Sequence, residues 1–250
     1  MDLREHRSTA QRHPWEVARF QFLTQVLRSH GLLPQVHSVL DAGAGDAWFA
    51  TRLSGLLSDS AQFDCWDTEY SPAALADLAG QLPANLKLTT TRPDTPHDLV
   101  LLLDVLEHVE HDRDFLASLV AASLKPGGWL LFTVPAWQPL FSRHDVWLHH
   151  FRRYAPAQAH AVLTGAGLNV LESGGLFHSL LVPRLLTVVS ERLRPPVHAH
   201  QPTIAWAHGP LFTRAVQAGL DADNALSHLA ARAGVPLPGL SFWALCQRPA

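Results

Sequence analysis

One short segment, residues 39–47, limits the fold of this chain more than any other. An apolar run ends in Asp41, glycines follow at Gly43 and Gly45, and a helical pattern begins at Trp48. This order predicts a strand, a tight turn and a helix, because glycine adopts the positive φ that such a turn needs. The N–H groups at a helix start favour an anionic or polar ligand, so the segment indicates a site of the nucleotide-binding type.

Two phosphate-binding patterns do not fit this turn. No Gly-Lys-Ser/Thr follows it, which excludes a phosphate loop, and Trp48 stands where the dinucleotide pattern G-x-G-x-x-G needs its third glycine. A turn that binds no ligand stays open as an alternative.

Strand and helix patterns alternate along the chain, which predicts a parallel sheet with right-handed crossovers. Residues 125–128, Lys-Pro-Gly-Gly, are predicted to form a turn, and residues 194–202 an exposed connection. The predicted strands are 38–40, 62–66, 86–90, 98–103, 129–134, 168–172 and 240–247, and the predicted helices are 15–27, 48–57, 72–82, 112–124, 156–166 and one or two within 203–232.

Acidic residues fall at the ends of three predicted strands: Asp41, Asp67 and Asp104. Ligands of open α/β sheets bind at the carboxyl ends of the strands, so these side chains are expected at one edge. A carboxylate after the second strand can accept hydrogen bonds from two ribose hydroxyls. The alternative for each acid alone is a helix cap or a turn residue.

Composition limits the function classes. The chain has 250 residues, 47% of them hydrophobic, and a net charge of −3, which predicts a globular domain with no strong attraction to nucleic acid. Cys65 and Cys246 are far apart in sequence, as suits a reducing cytosol. Residues 2–12 are charged and show no signal peptide, and the apolar segment 176–189 is too short to span a bilayer. We therefore expect a cytoplasmic protein.

Sixteen histidines raise the question of a metal. His108 and His111 are three apart, and His144, His149 and His150 lie close in sequence. No HExxH pattern or Cys/His knuckle is present, so we predict no metal and interpret these as surface and site histidines.

Three motifs in order resemble the class I S-adenosylmethionine (SAM)-dependent methyltransferases that act on small-molecule or lipid-linked acceptors. They are the D-x-G-x-G turn at Asp41, the Leu-Glu-His-Val run two residues after Asp104, and Lys-Pro-Gly-Gly at 125–128. In that family a third glycine is common at the position of Ala47. The resemblance implies an α/β fold: a Rossmann-like, doubly wound, mostly parallel seven-stranded sheet with helices on both faces. Its last strand, 241–247, would be antiparallel and inserted next to the sixth.

The resemblance also implies a single methyltransferase domain over residues 1–250. We predict an N-terminal helical cap at 1–35, a Rossmann-like core at 36–175, a helical cover region at 176–239 and the last strand at 240–248.

SAM is the implied cofactor, and family roles carry over position by position. Gly43, Ala44 and Gly45 would line the methionine moiety, and Asp41 would organise the loop and face the amino group. Asp67 would bind the ribose with Thr68 beside the adenine, and Asp104 and Val105 would stand near the amino group or the sulfonium. Trp15 and Arg19 would cap the cofactor, with Arg19 pairing with its carboxylate. An ordinary surface arginine is the alternative for Arg19. An acid for the adenine amine is left open, with Asp94 as the only nearby candidate.

The segment His144-Asp145 … His150-x-Arg-Arg-Tyr154 resembles a loop of methyltransferases with lipid-linked, sugar or small polar acceptors. His108, His144 and His150 are therefore candidate bases, in no order. Segment 176–190 would cover a hydrophobic acceptor or touch a membrane surface. The alternatives are a helix packed on the sheet or at a dimer interface, and both a monomer and a homodimer stay open.

We therefore predict an enzyme that transfers a methyl group from SAM to a small-molecule, sugar or lipid-linked acceptor. One alternative is a non-catalytic SAM-binding or regulatory protein of the same fold. A second is a nicotinamide-dependent oxidoreductase, against which the G-x-G spacing and the Leu-Glu-His-Val run both argue.

Overall fold

The computed structural model describes residues 12–193 and 206–250, which build one seven-stranded sheet flanked by helices. The strand order is β3-β2-β1-β4-β5-β7-β6, and β7 runs antiparallel to both neighbours while the other pairs are parallel. The strands are β1 Ser38–Ala42, β2 Gln62–Trp66, β3 Leu86–Thr89, β4 His97–Leu103, β5 Leu124–Pro135, β6 Asn169–Leu176 and β7 Ser241–Gln247. The predicted Rossmann-like sheet with an inserted antiparallel last strand is confirmed.

Eight α-helices lie in the described residues. They are α1 Pro14–Ser29, α2 Trp48–Ser54, α3 Pro72–Ala79, α4 Asp112–Ser123, α5 Arg143–Trp147, α6 Pro156–Gly165, α7 Leu181–Leu193 and α8 Pro210–Arg232. The predicted exposed connection at 194–202 and the charged segment at 2–11 lie outside the described residues. None of the described helices combines the length and the apolar character that crossing a bilayer requires.

Strand β4 shows why the sheet is buried on both faces. Leu99 and Leu101 belong to one apolar cluster, whereas Val100 and Leu102 belong to the other. Side chains alternate between the two faces of a strand, so a continuous apolar run supplies both cores. Residues of α1 and α2 belong to the first cluster, and residues of α4 and α6 belong to the second.

The sheet reverses its winding between β1 and β4. Asp41 pairs in register with Cys65 of β2 on one side and with Leu101 of β4 on the other. The carboxyl ends of β1, β2 and β4 therefore meet at one edge, beside the switch point where open α/β sheets bind ligands.

The Lys-Pro-Gly-Gly segment is not a turn before a strand, as its sequence predicts, but a bulge inside β5. The register with β4 changes from His97 opposite Leu124 to Leu99 opposite Trp129, so residues 125–128 lie opposite Asp98 alone. The Lys125 ammonium lies 2.7 Å from the Asp98 carboxylate, and this ion pair fixes the extra residues to the neighbouring strand.

Strand β6 continues four residues beyond its predicted end, to Leu176. A Cβ at Gly175 would lie 2.2 Å from the backbone nitrogen of Gly239, so the two glycines let the chain before β7 press against β6. Helices α2 and α3 each end three residues earlier than predicted, at Ser54 and Ala79.

Candidate functional site

A cavity of about 690 Å³ opens at the carboxyl edge of the sheet, where it extends from the end of β2 to the segment after β5. Ten of the thirteen predicted site residues line it: Trp15, Arg19, Gly43, Asp67, Thr68, Asp104, Val105, His108, His144 and His150. Asp41, Ala44 and Gly45 do not line the cavity, although they belong to the strand and turn that form its floor.

The glycine turn leaves no room for a side chain. Gly43 has a φ of +74°, and a Cβ built on it would lie 2.4 Å from Cγ2 of Val105. Its N–H donates to the carbonyl of Trp66 at 2.7 Å, which fixes the turn against the end of β2. Glycine is therefore required here, and the backbone itself forms the cavity surface.

Asp67 holds the same turn from the end of β2. One carboxylate oxygen accepts the N–H of Gly45 at 2.9 Å, and the other accepts the N–H of Glu69 at 2.9 Å. Each carboxylate oxygen has two lone-pair sites, so Asp67 can still accept hydrogen bonds from a ligand. Both interpretations from the sequence, turn residue and ligand acceptor, are thus compatible in one side chain.

Asp41 lies behind the turn and is 3% exposed. Burial away from water raises the pKa of its carboxyl group to about 7, since the charged form loses its hydration. The protonation state of the group beneath the turn therefore changes near neutral pH.

Arg19 and Asp104, both predicted to contact the cofactor, are partners of each other. The Arg19 guanidinium on α1 forms an ion pair with the Asp104 carboxylate and lies over the ring of Trp15 at 4.8 Å. Thr133 donates to the other Asp104 oxygen at 3.0 Å. The contact joins α1 to the end of β4 and closes one side of the cavity.

Three non-glycine residues of the cavity wall have a positive φ: Asp104 at 56°, His149 at 62° and Phe177 at 60°. This conformation costs a non-glycine residue free energy, and such strain concentrates at functional sites. The backbone geometry therefore agrees with the cavity in locating the site.

On the far side of the cavity, the buried carboxylate of Asp145 organises the segment after β5. One oxygen accepts hydrogen bonds from Arg153 Nε at 2.8 Å and His150 Nδ1 at 3.0 Å. The other accepts from the Ser142 N–H at 2.9 Å and lies 2.6 Å from an Arg184 nitrogen. Asp145 thus binds four residues, one of which lies 39 positions away in sequence.

The charge of Asp145 is strongly stabilised. Burial alone would raise the pKa of its carboxyl group, but the hydrogen bond from His150 and the charges of Arg153 and Arg184 outweigh burial and hold this pKa well below its usual range. The carboxylate accepts and cannot donate, so Nδ1 of His150 carries the proton of this hydrogen bond and Nε2 is the nitrogen left for another partner.

Glu107, His108 and His150 form a compact group beside this carboxylate. The rings of His108 and His150 are perpendicular, with centroids 4.6 Å apart. Glu107 is 1% exposed, and burial raises the pKa of its carboxyl group to about 8. Within residues 12–193 and 206–250, its Oε2 atom has no hydrogen-bond partner.

His144, the third candidate base, lies on α5, where its ring stacks with Trp147 at 5.9 Å. Burial and the nearby charge of Arg184 lower the pKa of this imidazole, so it is neutral at physiological pH.

Sequence reasoning assigns no individual role to Glu107, Asp145 or Arg184. Glu107 and Arg184 line the cavity, and Asp145 is the ion-pair partner of Arg184. The signal for Glu107 is its place in the Leu-Glu-His-Val motif that follows the end of β4. No local pattern indicates the Arg184 contact with Asp145, since the two residues are 39 positions apart.

A sequence model of a family described as a methyltransferase domain matches residues 15–173. No curated protein matches the chain. Solved structures that share its fold include the following three. The N-methyltransferase NodS from Bradyrhizobium japonicum WM9 is 14% identical with a TM-score of 0.53, covering 95% of this chain and 98% of NodS. A SAM-dependent methyltransferase from Mesorhizobium loti is 16% identical with a TM-score of 0.53, covering 91% and 98%.

The third structure is the [4+2]-cyclase SpnF, which is 18% identical with a TM-score of 0.55, covering 92% of this chain and 81% of SpnF. A cyclase differs in activity from the other two proteins, so the shared fold does not by itself fix the reaction. The family match rests instead on the sequence from α1 to β6, which holds the glycine turn and the acids at the strand ends. The chain belongs to the methyltransferase-domain family and is a SAM-dependent methyltransferase.

Proposed function

We propose that the protein transfers the methyl group of SAM to a hydroxyl or amine of a small polar, sugar or lipid-linked acceptor. The observation that carries this proposal is the composition of the cavity wall: the glycine turn and Asp67 stand at the β1 and β2 ends, and three histidines stand toward the segment after β5. Cofactor and acceptor would thus meet across the edge of the sheet, near Asp104 at the end of β4.

The residues on the turn side fit SAM. A Cβ at Gly43 would overlap the side chain of Val105, so glycine leaves the bare backbone to face the ligand, and Asp67 keeps acceptor capacity after binding the turn. We assign the methionine moiety to residues 43–45 with Asp41 beneath them. The ribose falls to Asp67 and the adenine to the neighbourhood of Thr68. Asp104 and Val105 would face the sulfonium end.

Trp15 and Arg19 would close over the methionine end. A guanidinium offers five N–H donors in a planar fork, so Arg19 can bind Asp104 and a ligand carboxylate together. The stacked rings of Trp66 and Phe115, 6.3 Å apart and both in the cavity wall, add an apolar surface beside Asp67.

When bound, SAM supplies a methyl group on a positively charged sulfur. As the acceptor atom bonded to the methyl carbon and the carbon–sulfur bond broke, an imidazole of this chain would take the proton of the acceptor. Positioning and exclusion of water carry much of the acceleration in such an in-line displacement. The segment after β5 would provide both, since it covers the cavity opposite the turn.

Of the three candidate bases, His150 has the best support. Its Nδ1–H donates to buried Asp145, which orients the ring and stabilises the imidazolium formed when Nε2 takes a proton. His108 contacts His150 edge to face, and His144 lies on the neighbouring helix α5. Both remain candidates with less structural support.

Isothermal titration tests the cofactor. SAM or its demethylated product should bind well, and NAD should bind poorly. NAD affinity equal to or above that of SAM would overturn the proposal. Mass spectrometry of ligands that copurify with the protein provides an independent check.

Replacing His150 or His144 by alanine tests the acceptor side. Methyl transfer should fall while SAM affinity stays within about threefold, or about 0.7 kcal/mol. Loss of SAM binding in either variant would mean that this segment closes on the cofactor. Unchanged turnover in both would mean that the histidines are structural and that transfer depends on proximity alone.

Helix α7 favours a lipid-linked acceptor among the three classes. Leu180 and Arg184 near its start line the cavity, whereas five apolar side chains of the helix are exposed: Val182, Leu185, Leu186, Val189 and Leu193. A helix of this kind can lie in a membrane interface and bring the cavity mouth close to a lipid head group.

Sedimentation with vesicles of neutral and anionic lipids tests this assignment. Leu186→Ser on α7 should reduce vesicle binding, whereas Leu226→Ser on α8, where leucine is also exposed, should not. A change in oligomeric state with Leu186→Ser, and no vesicle binding by the wild type, would show instead that α7 forms a dimer interface.

A further inference from the structure

One group in the cavity wall has a composition that the methyl-transfer proposal does not use fully. Glu107, His108 and His150 each place one donor atom within 4.8 Å of the other two. The donors are two imidazole nitrogens and one carboxylate oxygen. Their separation is close enough for all three to reach a single ion.

His150 is held as a metal-binding imidazole usually is. Its Nδ1–H donates to the buried Asp145 carboxylate at 3.0 Å, which fixes the ring and leaves Nε2 with its lone pair. Histidine ligands commonly make such a bond from the second nitrogen to a carboxylate, because it sets the tautomer and increases the basicity of the ligand nitrogen. Arg153 and the backbone N–H of Ser142 hold Asp145 in turn.

Glu107 is the second observation that points to a ligand. Its side chain is almost fully buried, and Oε2 has no hydrogen-bond partner within the described residues. A buried carboxyl oxygen without a partner costs free energy, so such atoms call for a specific explanation. A general-base role for His150 does not explain it, whereas a cation beside the two imidazoles does.

We propose that Glu107, His108 and His150 bind one divalent transition-metal ion of the Zn²⁺, Mn²⁺ or Fe²⁺ type. Two histidines and one carboxylate suit these ions, and three protein ligands leave coordination positions open. All three residues line the cavity, so the open positions would face the space assigned to the acceptor. Mg²⁺ fits less well, since it prefers oxygen ligands.

The use of this ion rests on the proposed function, whereas the binding itself does not. An ion at this position would favour acceptors that offer an oxygen atom, because it stabilises the ionised form of a hydroxyl. The imidazoles would then serve as ligands, and the proton of the acceptor would pass to water in the open cavity. Methylation of oxygen would thus be preferred to methylation of nitrogen.

Titration of the metal alone tests the site. The full chain is freed of metal by a chelator and titrated with Zn²⁺ by calorimetry and with Mn²⁺ by electron paramagnetic resonance, without SAM or acceptor. Glu107→Gln and His108→Ala should each weaken one site at least tenfold. His144→Ala, which changes a cavity histidine outside the group, should leave this site within twofold.

The two substitutions are chosen because neither removes the partner of Asp145. Equal metal affinity in wild type, Glu107→Gln and His108→Ala would overturn the site. Any metal that still binds would then be held by histidines elsewhere in the chain. A parallel SAM titration of the metal-free protein separates the proposals. Metal binding without SAM binding would contradict the proposed function alone, and SAM binding without the metal site would contradict this inference alone.

Discussion

The two sides of the cavity are built in different ways. On the turn side, backbone geometry creates the surface of the cavity. Gly43 has no room for a side chain, and Asp67 holds the loop through backbone N–H groups. On the opposite side, which we propose for the acceptor, side chains create it, since Asp145 joins His150, Arg153 and Arg184. The first side depends on residues close in sequence, and the second depends on charges that come together only in the folded chain.

Because one carboxylate joins several side chains on the side proposed for the acceptor, we expect a single substitution there to cause the largest loss of stability. Asp145→Asn should lower the free energy of unfolding by about 3–5 kcal/mol, because it leaves the buried charges of Arg153 and Arg184 without their carboxylate. Urea denaturation measures the loss. Asp59→Asn on the surface is the matched control and should change stability by less than about 0.5 kcal/mol. Equal stability of the two variants would show that Asp145 does not hold this side together.

Asp67 is the corresponding test of the turn side, with binding as the readout. Asp67→Ala should weaken SAM binding more than tenfold, since hydrogen bonds to a charged group contribute roughly 1.5–3 kcal/mol. Calorimetry measures the affinity, and circular dichroism confirms that the fold is kept. Asp59→Ala, which changes an exposed acid outside the cavity wall, should bind SAM as the wild type does. Unchanged affinity in Asp67→Ala would reduce Asp67 to a turn residue.

This difference also explains which parts of the site can be predicted from the sequence. The turn and its two acids lie in one strand–turn–helix–strand unit, so their spacing alone places Gly43, Gly45 and Asp67 at one edge of the sheet. Residue types are enough to predict this part of the site, because its surface is formed mainly by the backbone of the turn. The sequence of strands along the chain and most of their ends follow from the same alternation of apolar runs and turn residues, whereas the place of the last strand in the sheet follows from the family resemblance.

The remaining contacts depend on partners that are distant in sequence. Arg19 meets Asp104 across 85 positions, and Arg184 meets Asp145 across 39, so no local pattern can pair them. The prediction of a turn at 125–128 is wrong for a related reason. Pro-Gly-Gly predicts a break in a strand, but only the register with Asp98 shows that the strand continues beyond it.

On the turn side, Asp41 is expected to have an effect of intermediate size on how the free energy of unfolding changes with pH. Its pKa is raised from the ordinary 3.8 to about 7 in the folded chain, so folding favours the protonated group. This contribution to stability is fully present at low pH and is lost as pH rises from about 4 to about 7. Asp41→Asn removes the titration and should therefore lose less stability than the wild type on going from pH 5 to pH 8.

The difference between the two proteins should change by at least about 1.4 kcal/mol over this range, which corresponds to one pKa unit. Urea denaturation at both pH values measures it, and comparing the change with pH cancels any fixed effect of the new amide. Parallel pH curves for the two proteins would show that Asp41 titrates at its ordinary pKa.

The smallest expected effect concerns Ala47, the one place where the turn departs from the glycines of its family. Ala47 precedes α2 with a φ of 55°, a left-handed conformation that costs an L-residue about 1–2 kcal/mol. Ala47→Gly removes this cost but also removes a buried methyl group worth about 0.8 kcal/mol. The net gain in the free energy of unfolding should be a few tenths of a kcal/mol to about 1 kcal/mol, measured by urea denaturation. Ala50→Gly within α2 is the matched control, because a helical φ there makes glycine destabilising by roughly 1 kcal/mol. If Ala47→Gly destabilises the chain as Ala50→Gly does, packing of the methyl group outweighs backbone strain at this position. Side-chain packing would then shape the turn side as well as backbone geometry.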